Sequence, residues 1–206
     1  ILVAAPSDGD GEGITTTDIE GGGGYNNGDY NDNFGGTSSA TPLVSGVVAL
    51  ILEANPNLTY RDIEHIIVQS SRVNDGNDNG WNVNGAGHDV SHKYGFGVID
   101  ASAAVALAEN WVNVDPEINF QSGLIDVPDR QIPDNSAPGI SEITNVPDSI
   151  KVEHVEVIVD IDHAYRGDLE IILTSPSGTQ SVLSEKHEDN GNNWNNWMFT
   201  SVHHWD

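Results

Sequence analysis

The sequence predicts a chain of two unlike parts, a helix-bearing first half and an antiparallel β second half of sandwich type. Three observations carry this. A strongly apolar helical run covers 39–54, and a second helical pattern follows from Thr59. Five of the nine Pro fall in 111–150, where no helical period survives. From 152 the apolar period becomes two. The boundary falls near Asn110, giving parts 1–110 and 111–206, with 111–150 as a Pro-rich linker and first strands.

Ile1-Leu2-Val3-Ala4-Ala5 reads as a strand entered part-way, and the chain is expected to be an internal piece of a longer one. Residues 6–36 hold ten of the 22 Gly and are expected to form an exposed, mobile loop. Asp29-Tyr30-Asn31-Asp32-Asn33 is acidic but lacks the closing Glu and the spacing of a calcium loop. The run 39–54 is apolar on nearly every face and predicts a helix buried in a core. Pro42 lies near its start, where a missing N–H does least harm. Gly46 costs about 1 kcal/mol in a helix interior, so a close-packed neighbour is expected there.

Asn55-Pro56 stops this helix. Thr59 and Asp62 form a variant capping box for the next, with Ile63, Ile66 and Ile67 inward and Arg61, Glu64 and His65 outward. Residues 74–87, rich in Asn, Gly and Asp, read as loop. Tyr94–Ile99 is a compact turn into a third helix, which Asp100 caps and which has a small face of Ala101, Ala104, Val105 and Ala108. Pro116, Pro128, Pro133, Pro138 and Pro147 mark the linker. Val155, Val157, Val159 and Ile161 alternate along one strand, and Leu169, Ile171 and Leu173 along another. Ser175-Pro176-Ser177-Gly178 is a turn, and a further strand begins at Val182.

Composition narrows the function. With 206 residues and 37% hydrophobic content, the chain can form one medium or two small domains. No apolar run reaches the roughly 18–20 residues of a membrane span, so none is expected. Asp+Glu number 32 against 7 Lys+Arg, a net −25, which is unsuited to binding nucleic-acid phosphates. The acid is spread evenly, as on a solvated surface: residues 1–110 carry 15 Asp+Glu and residues 111–206 carry 17. With no Cys, disulfides, zinc–thiolate sites and thiol nucleophiles are excluded.

Gly35-Gly36-Thr37-Ser38-Ser39-Ala40-Thr41-Pro42 delivers a Ser to the first turn of the apolar helix. Unpaired N–H groups and the positive helix end favour an oxyanion there, as an acyl-transfer nucleophile requires. The same residues also fit a plain reading, in which Ser38 is only a helix N-cap.

Gly36-Thr37-Ser38-Ser39-Ala40-Thr41-Pro42 resembles the G-T-S-x-A-x-P nucleophile motif of subtilisin-like serine proteases. Leu52–Asp62, Val90–Gly97 and Asp100-Ala101 resemble the kexin/furin branch, the proprotein convertases. Tyr165-Arg166-Gly167-Asp168-Leu169 and Leu173–Thr179 resemble the P domain that follows the catalytic domain in that branch. The resemblance implies an α/β first part, the C-terminal portion of a subtilisin-like parallel-sheet domain over 1–110. It implies an incomplete jelly-roll, galactose-binding-like sandwich over 111–206.

The resemblance also implies a serine endopeptidase with Ser38 as nucleophile and its backbone N–H as an oxyanion donor, and with Thr37 binding substrate. The family's Asp, His and oxyanion Asn would precede residue 1, so the isolated piece is expected to be inactive. Peptides with basic residues before the cut are the implied substrates, and the upstream part of the same peptidase domain is an implied partner. No cofactor is expected in this piece, calcium is expected in the full-length enzyme, and no metal site is assigned here. A secreted, periplasmic or extracellular setting is implied, and the acidity hints at a bacterial source. None of His65, His88, His92, His154, His163, His187, His203 and His204 is assigned the role of base. Arg166-Gly167-Asp168 reads as a strand-joining turn fixed by an Arg–Asp contact rather than as an adhesion tripeptide. The competing readings are a non-catalytic binding or stability module built on the β part, and an acidic calcium-dependent adhesin.

Overall fold

The computed structural model describes residues 1–126, 130–133, 139–146 and 150–205. They form two compact units, Ile1–Val114 with Val152–Asp206, and Asp115–Lys151. Among its described residues the second unit has no helix or strand, so the first strands expected in 111–150 are absent from them. Its prolines lack the N–H a ladder needs, and its apolar residues do not alternate. Arg130 pairs with Glu142 within it. Pro128, Pro138 and Pro147 lie outside the described residues.

In the first unit the glycine-rich opening is not all loop. β1 (Ile14–Thr17) and β2 (Tyr30–Phe34) pair antiparallel, with Ile14 opposite Phe34 and Thr17 opposite Tyr30. The β-branched Ile-Thr-Thr-Thr run favours a strand, and local β preference prevails over the surrounding glycines. Of the opening residues 1–5, expected to be a strand, only Val3 and Ala4 pair, as isolated bridges. Ala4 bridges Val98 in parallel, its N–H donating to the Gly97 carbonyl (2.8 Å) while its own carbonyl accepts from Ile99 N–H (2.9 Å). That bridge is the only parallel pairing among the described residues.

α1 (Thr37–Ala54) and α2 (Tyr60–Ser70) follow. α1 is less buried than its composition predicts: of its 18 residues only Ser39, Val47 and Ile51 are buried, while Leu43, Leu50 and Leu52 are exposed. Val47 and Ile51, four apart on one face, enter the core; the other apolar faces meet too little of the described chain to be covered. By length and composition α1 would also suffice to cross a membrane, contrary to the reading of the apolar runs. Within the described chain it contributes Val47 and Ile51 to the helical core. Gly46 has no close neighbour either: a Cβ there would meet nothing within 4 Å.

α2 has the capping box, with Thr59 N–H and Oγ1 donating to Asp62 Oδ2 at 2.7 and 2.6 Å. The 74–87 stretch contains β3 (Trp81–Val83), which pairs with β4 (Asp89–Ser91). Gly95 and Gly97 shape the following turn with φ of 61° and 117°. α3 (Ala101–Ala108) is capped by Asp100, whose Oδ1 accepts from Ala103 N–H at 3.0 Å. Ile51, Ile66, Ala104 and Ala108 are fully buried together, with Val47, Leu58 and Ile67 around them.

The β part contains β5 (Val155–Ile161), β6 (Ile171–Thr174), β7 (Gln180–Ser184) and β8 (Trp194–Ser201). They form two antiparallel pairs, β5 with β8 and β6 with β7. β5 alternates partly buried and exposed residues along its length, as its period predicts. Leu169 lies just before β6, buried beside a turn. Val68, Val90, Phe96 and Trp205 make a second core. The chain end is clasped there by Asn84, whose Nδ2 donates to the Trp205 carbonyl at 2.7 Å.

Candidate active site

Gly36 opens α1 with φ 70° and ψ −169°, a backbone that favours glycine. It, and not Ser38, is the N-cap. Its carbonyl takes the first turn's N–H groups, from Ser39 at 3.1 Å and Ala40 at 3.4 Å. The N–H groups of Thr37 and Ser38 donate to no described group. Two unspent donors at the positive end of an 18-residue helix therefore flank the Ser38 side chain. Thr37 and Ser38 are both exposed, and the Ser38 hydroxyl bonds to no other described residue. It is open to an incoming carbonyl. Pro42 is the sixth helical residue, inside α1, deeper than the first turn where it would be harmless. Having no N–H, it leaves the Ser38 carbonyl without its i+4 donor. Thr41 Oγ1 meanwhile donates to the Thr37 carbonyl at 2.8 Å.

A set of side chains from residues 7 and 8 secures this loop. Asp8 Oδ1 accepts a hydrogen bond from Gly36 N–H. That bond, with another from Ser7, holds the Asp8 carboxyl below its ordinary value. Ser39 faces inward and is 1% exposed, its Oγ donating to the Gly36 carbonyl at 3.0 Å. Ser7 and Asp8 were not legible as partners of the loop, because neither belongs to the motif and both precede Gly36 by almost thirty residues.

No imidazole reaches Ser38. His65 meets Glu153 at 2.9 Å, His92 meets Glu185 at 3.3 Å and His154 meets Glu64 at 3.3 Å. His163 and His187 contact the backbone carbonyls of Tyr165 and Glu185. His88 packs edge-on to Phe96. His203 and His204 are buried, and burial pushes His203 down to about 4. Among the described residues no three His, Asp or Glu converge as a metal site would require.

Residues 2–97 match the subtilase family, and residues 152–206 match the proprotein convertase P-domain. Each part of the chain is thus similar to one of these families. The subtilase and P-domain segments are 39% identical over 183 residues to mouse proprotein convertase subtilisin/kexin type 4, covering 85% of this chain and 28% of that protein. The human type 5 convertase is 42% identical over 185 residues, covering 84% of this chain and 10% of its own length. The chain thus spans less than a third of these relatives. The crystal structure of Aeromonas sobria serine protease with its chaperone aligns with a TM-score of 0.81 and 27% identity, covering 94% of this chain and 42% of that one.

Two features of the pairing were not legible. Arg61 and His65, expected to face solvent, instead face Glu153 of the P-domain segment: Arg61 Nε donates to Glu153 Oε2 at 2.8 Å. In the P-domain turn Arg166–Asp168, Gly167 is buried, and a Cβ on it would collide with the His187 carbonyl. Arg166 does hold an Asp, but it is Asp189 (2.7 Å), and its guanidinium lies 5.3 Å from the centre of the Trp194 ring. A buried glycine at the centre of the tripeptide does not suit an adhesion loop.

Proposed function

We propose that the chain is part of a serine endopeptidase in which Ser38 forms the acyl-enzyme. The observation that carries this is the exposed, unengaged Ser38 hydroxyl beside the two free N–H groups of Thr37 and Ser38. The hydroxyl attacks the peptide carbonyl once a base takes its proton. The carbonyl oxygen gains charge beside the Ser38 N–H, the amine leaves, and water releases the acyl group. The resemblance gives the base, its Asp partner and an oxyanion Asn to the parent chain. Thr37, first residue of the helix, lines the approach of the substrate.

The kinship with convertases and the net charge of −25 support peptides with basic residues before the cut, since an acidic surface gathers cationic chains. We place the enzyme in the secretory or extracellular space and give calcium a role elsewhere in the parent. The exposed leucines of α1 are then where the remainder of the peptidase domain packs.

In the full-length parent, Ser38→Ala is expected to lower peptide hydrolysis by about 10⁴-fold or more, and a fluorophosphonate probe is expected to label Ser38 in wild type. Retained turnover in the variant would leave the non-catalytic module as the better reading. Equal cleavage of basic and neutral peptides would remove the specificity.

A further inference from the structure

We propose that Ser7 and Asp8 are positioning residues for the nucleophile loop, gripping the Gly36 peptide at both ends so that Ser38 and its neighbouring N–H groups are presented in one geometry. The inference rests on reading Ser38 as the nucleophile.

Gly36 is the hinge of the site. Its φ of 70° lies where glycine moves freely, so an unrestrained peptide would sample several helix starts. Its N–H is taken by Asp8 Oδ1. Ser7 Oγ lies 2.8 Å from its carbonyl oxygen, 2.8 Å from Ser39 Oγ and 2.9 Å from Asp8 Oδ1. The hydroxyl has one proton to give, so it bridges these groups from their centre. Ser39, directly after the nucleophile, is thereby fixed to the same carbonyl. Gly35 makes the approach possible, since a Cβ on it would collide with the Asp8 carboxyl. Neither side chain touches the reacting atoms. Their effect is to stop the loop from wandering, and a displacement of about 1 Å in a catalytic group can cost on the order of 10²-fold.

The test uses the full-length protease. Asp8→Ala is expected to lower kcat and the fluorophosphonate labelling rate about 10- to 100-fold, with KM within about twofold. Asp8→Asn keeps an oxygen acceptor for Gly36 N–H and is expected to recover most of the loss. Ser7→Ala and Ser7→Thr form a second pair with the same pattern, should Asp8→Ala fold poorly. Wild-type kcat in both alanine variants, or losses that track only the folded fraction in thermal melts, would overturn the proposal. So would failure of both conservative variants to recover activity. Ser38→Ala run alongside separates the two ideas: if it keeps turnover, the nucleophile assignment fails, and if it loses turnover while the Ser7 and Asp8 variants do not, only the clamp fails.

Discussion

α1 and α2 share one core and differ in almost everything else. α2 is closed at its start. Thr59 and Asp62 satisfy each other, Ile66, Ile67 and Val68 are buried, and Arg61 and His65 on its polar side are occupied by Glu153. α1 starts on a glycine with no side-chain cap, leaves two N–H groups unspent, and holds a proline and an unpacked glycine inside. Each omission costs stability, and the first of them is what an oxyanion site requires. The pair shows stability invested in the helix that supports and withheld from the helix that presents.

The contrast breaks most visibly at Asp62. Its side chain is fully buried and accepts from Thr59 N–H and Oγ1, Val114 N–H (2.7 Å) and Trp111 Nε1 (3.0 Å). Burial pushes its carboxyl up, and the hydrogen bonds outweigh that and hold it below the ordinary value. Asp62→Ala takes the acceptor from several part-buried donors at once and is expected to destabilise by about 2–4 kcal/mol in chemical denaturation. Because the folded-state value is lowered, Asp62's contribution is full above about 3.9 and fades as pH falls through the lower folded value. The variant should therefore lose part of the acid dependence of stability. A change below about 0.5 kcal/mol would mean that α2 is not the rigid member of the pair.

Glu153 sharpens the same comparison from the other side. Its bonds to Arg61, the larger influence, offset burial and hold its carboxyl below the ordinary value. Glu153→Gln keeps the shape but removes the charge facing Arg61 and is expected to cost about 1–2 kcal/mol. The sign follows as for Asp62: the stabilisation is present above about 4.3 and is lost as pH falls through the lower folded value. A stability curve that keeps its wild-type acid limb in this variant would count against the ion pair.

What could be read beforehand follows the range of the forces. The Thr59–Asp62 box, the Asp100 cap and the alternation of β5 depend on neighbours within a few residues, and each was legible. The motif around Ser38 is local too, and its exposure follows from its place at a helix start. Asp62 was read as a cap, yet two of its bonds come from Trp111 and Val114, about fifty residues on. The partners of Gly36, Arg61 and Asn84 lie 28 to 121 residues away, and no period or motif encodes such distances. The short strands β1 and β3 were missed because glycine and asparagine in and around them outweigh four and two β-favouring residues in any local reading.

The smallest expected effect is the most discriminating for α1. Gly46 has a helical backbone and open space where a Cβ would sit, so Gly46→Ala should stabilise the 206-residue chain by about 0.5–1 kcal/mol, read as a raised denaturation midpoint at unchanged slope. No clash in this chain opposes it, and a loss instead of a gain would show that the helix is more tightly packed than described. The same substitution in the proposed parent protease separates two causes for the glycine. If nothing more packs on α1, stability and turnover both follow the gain. If the remainder of the peptidase domain lies close against that face, the added methyl stabilises the short chain and damages the long one. Opposite signs would place the reason for Gly46 outside these residues, on the face where Leu43 and Leu50 stand exposed.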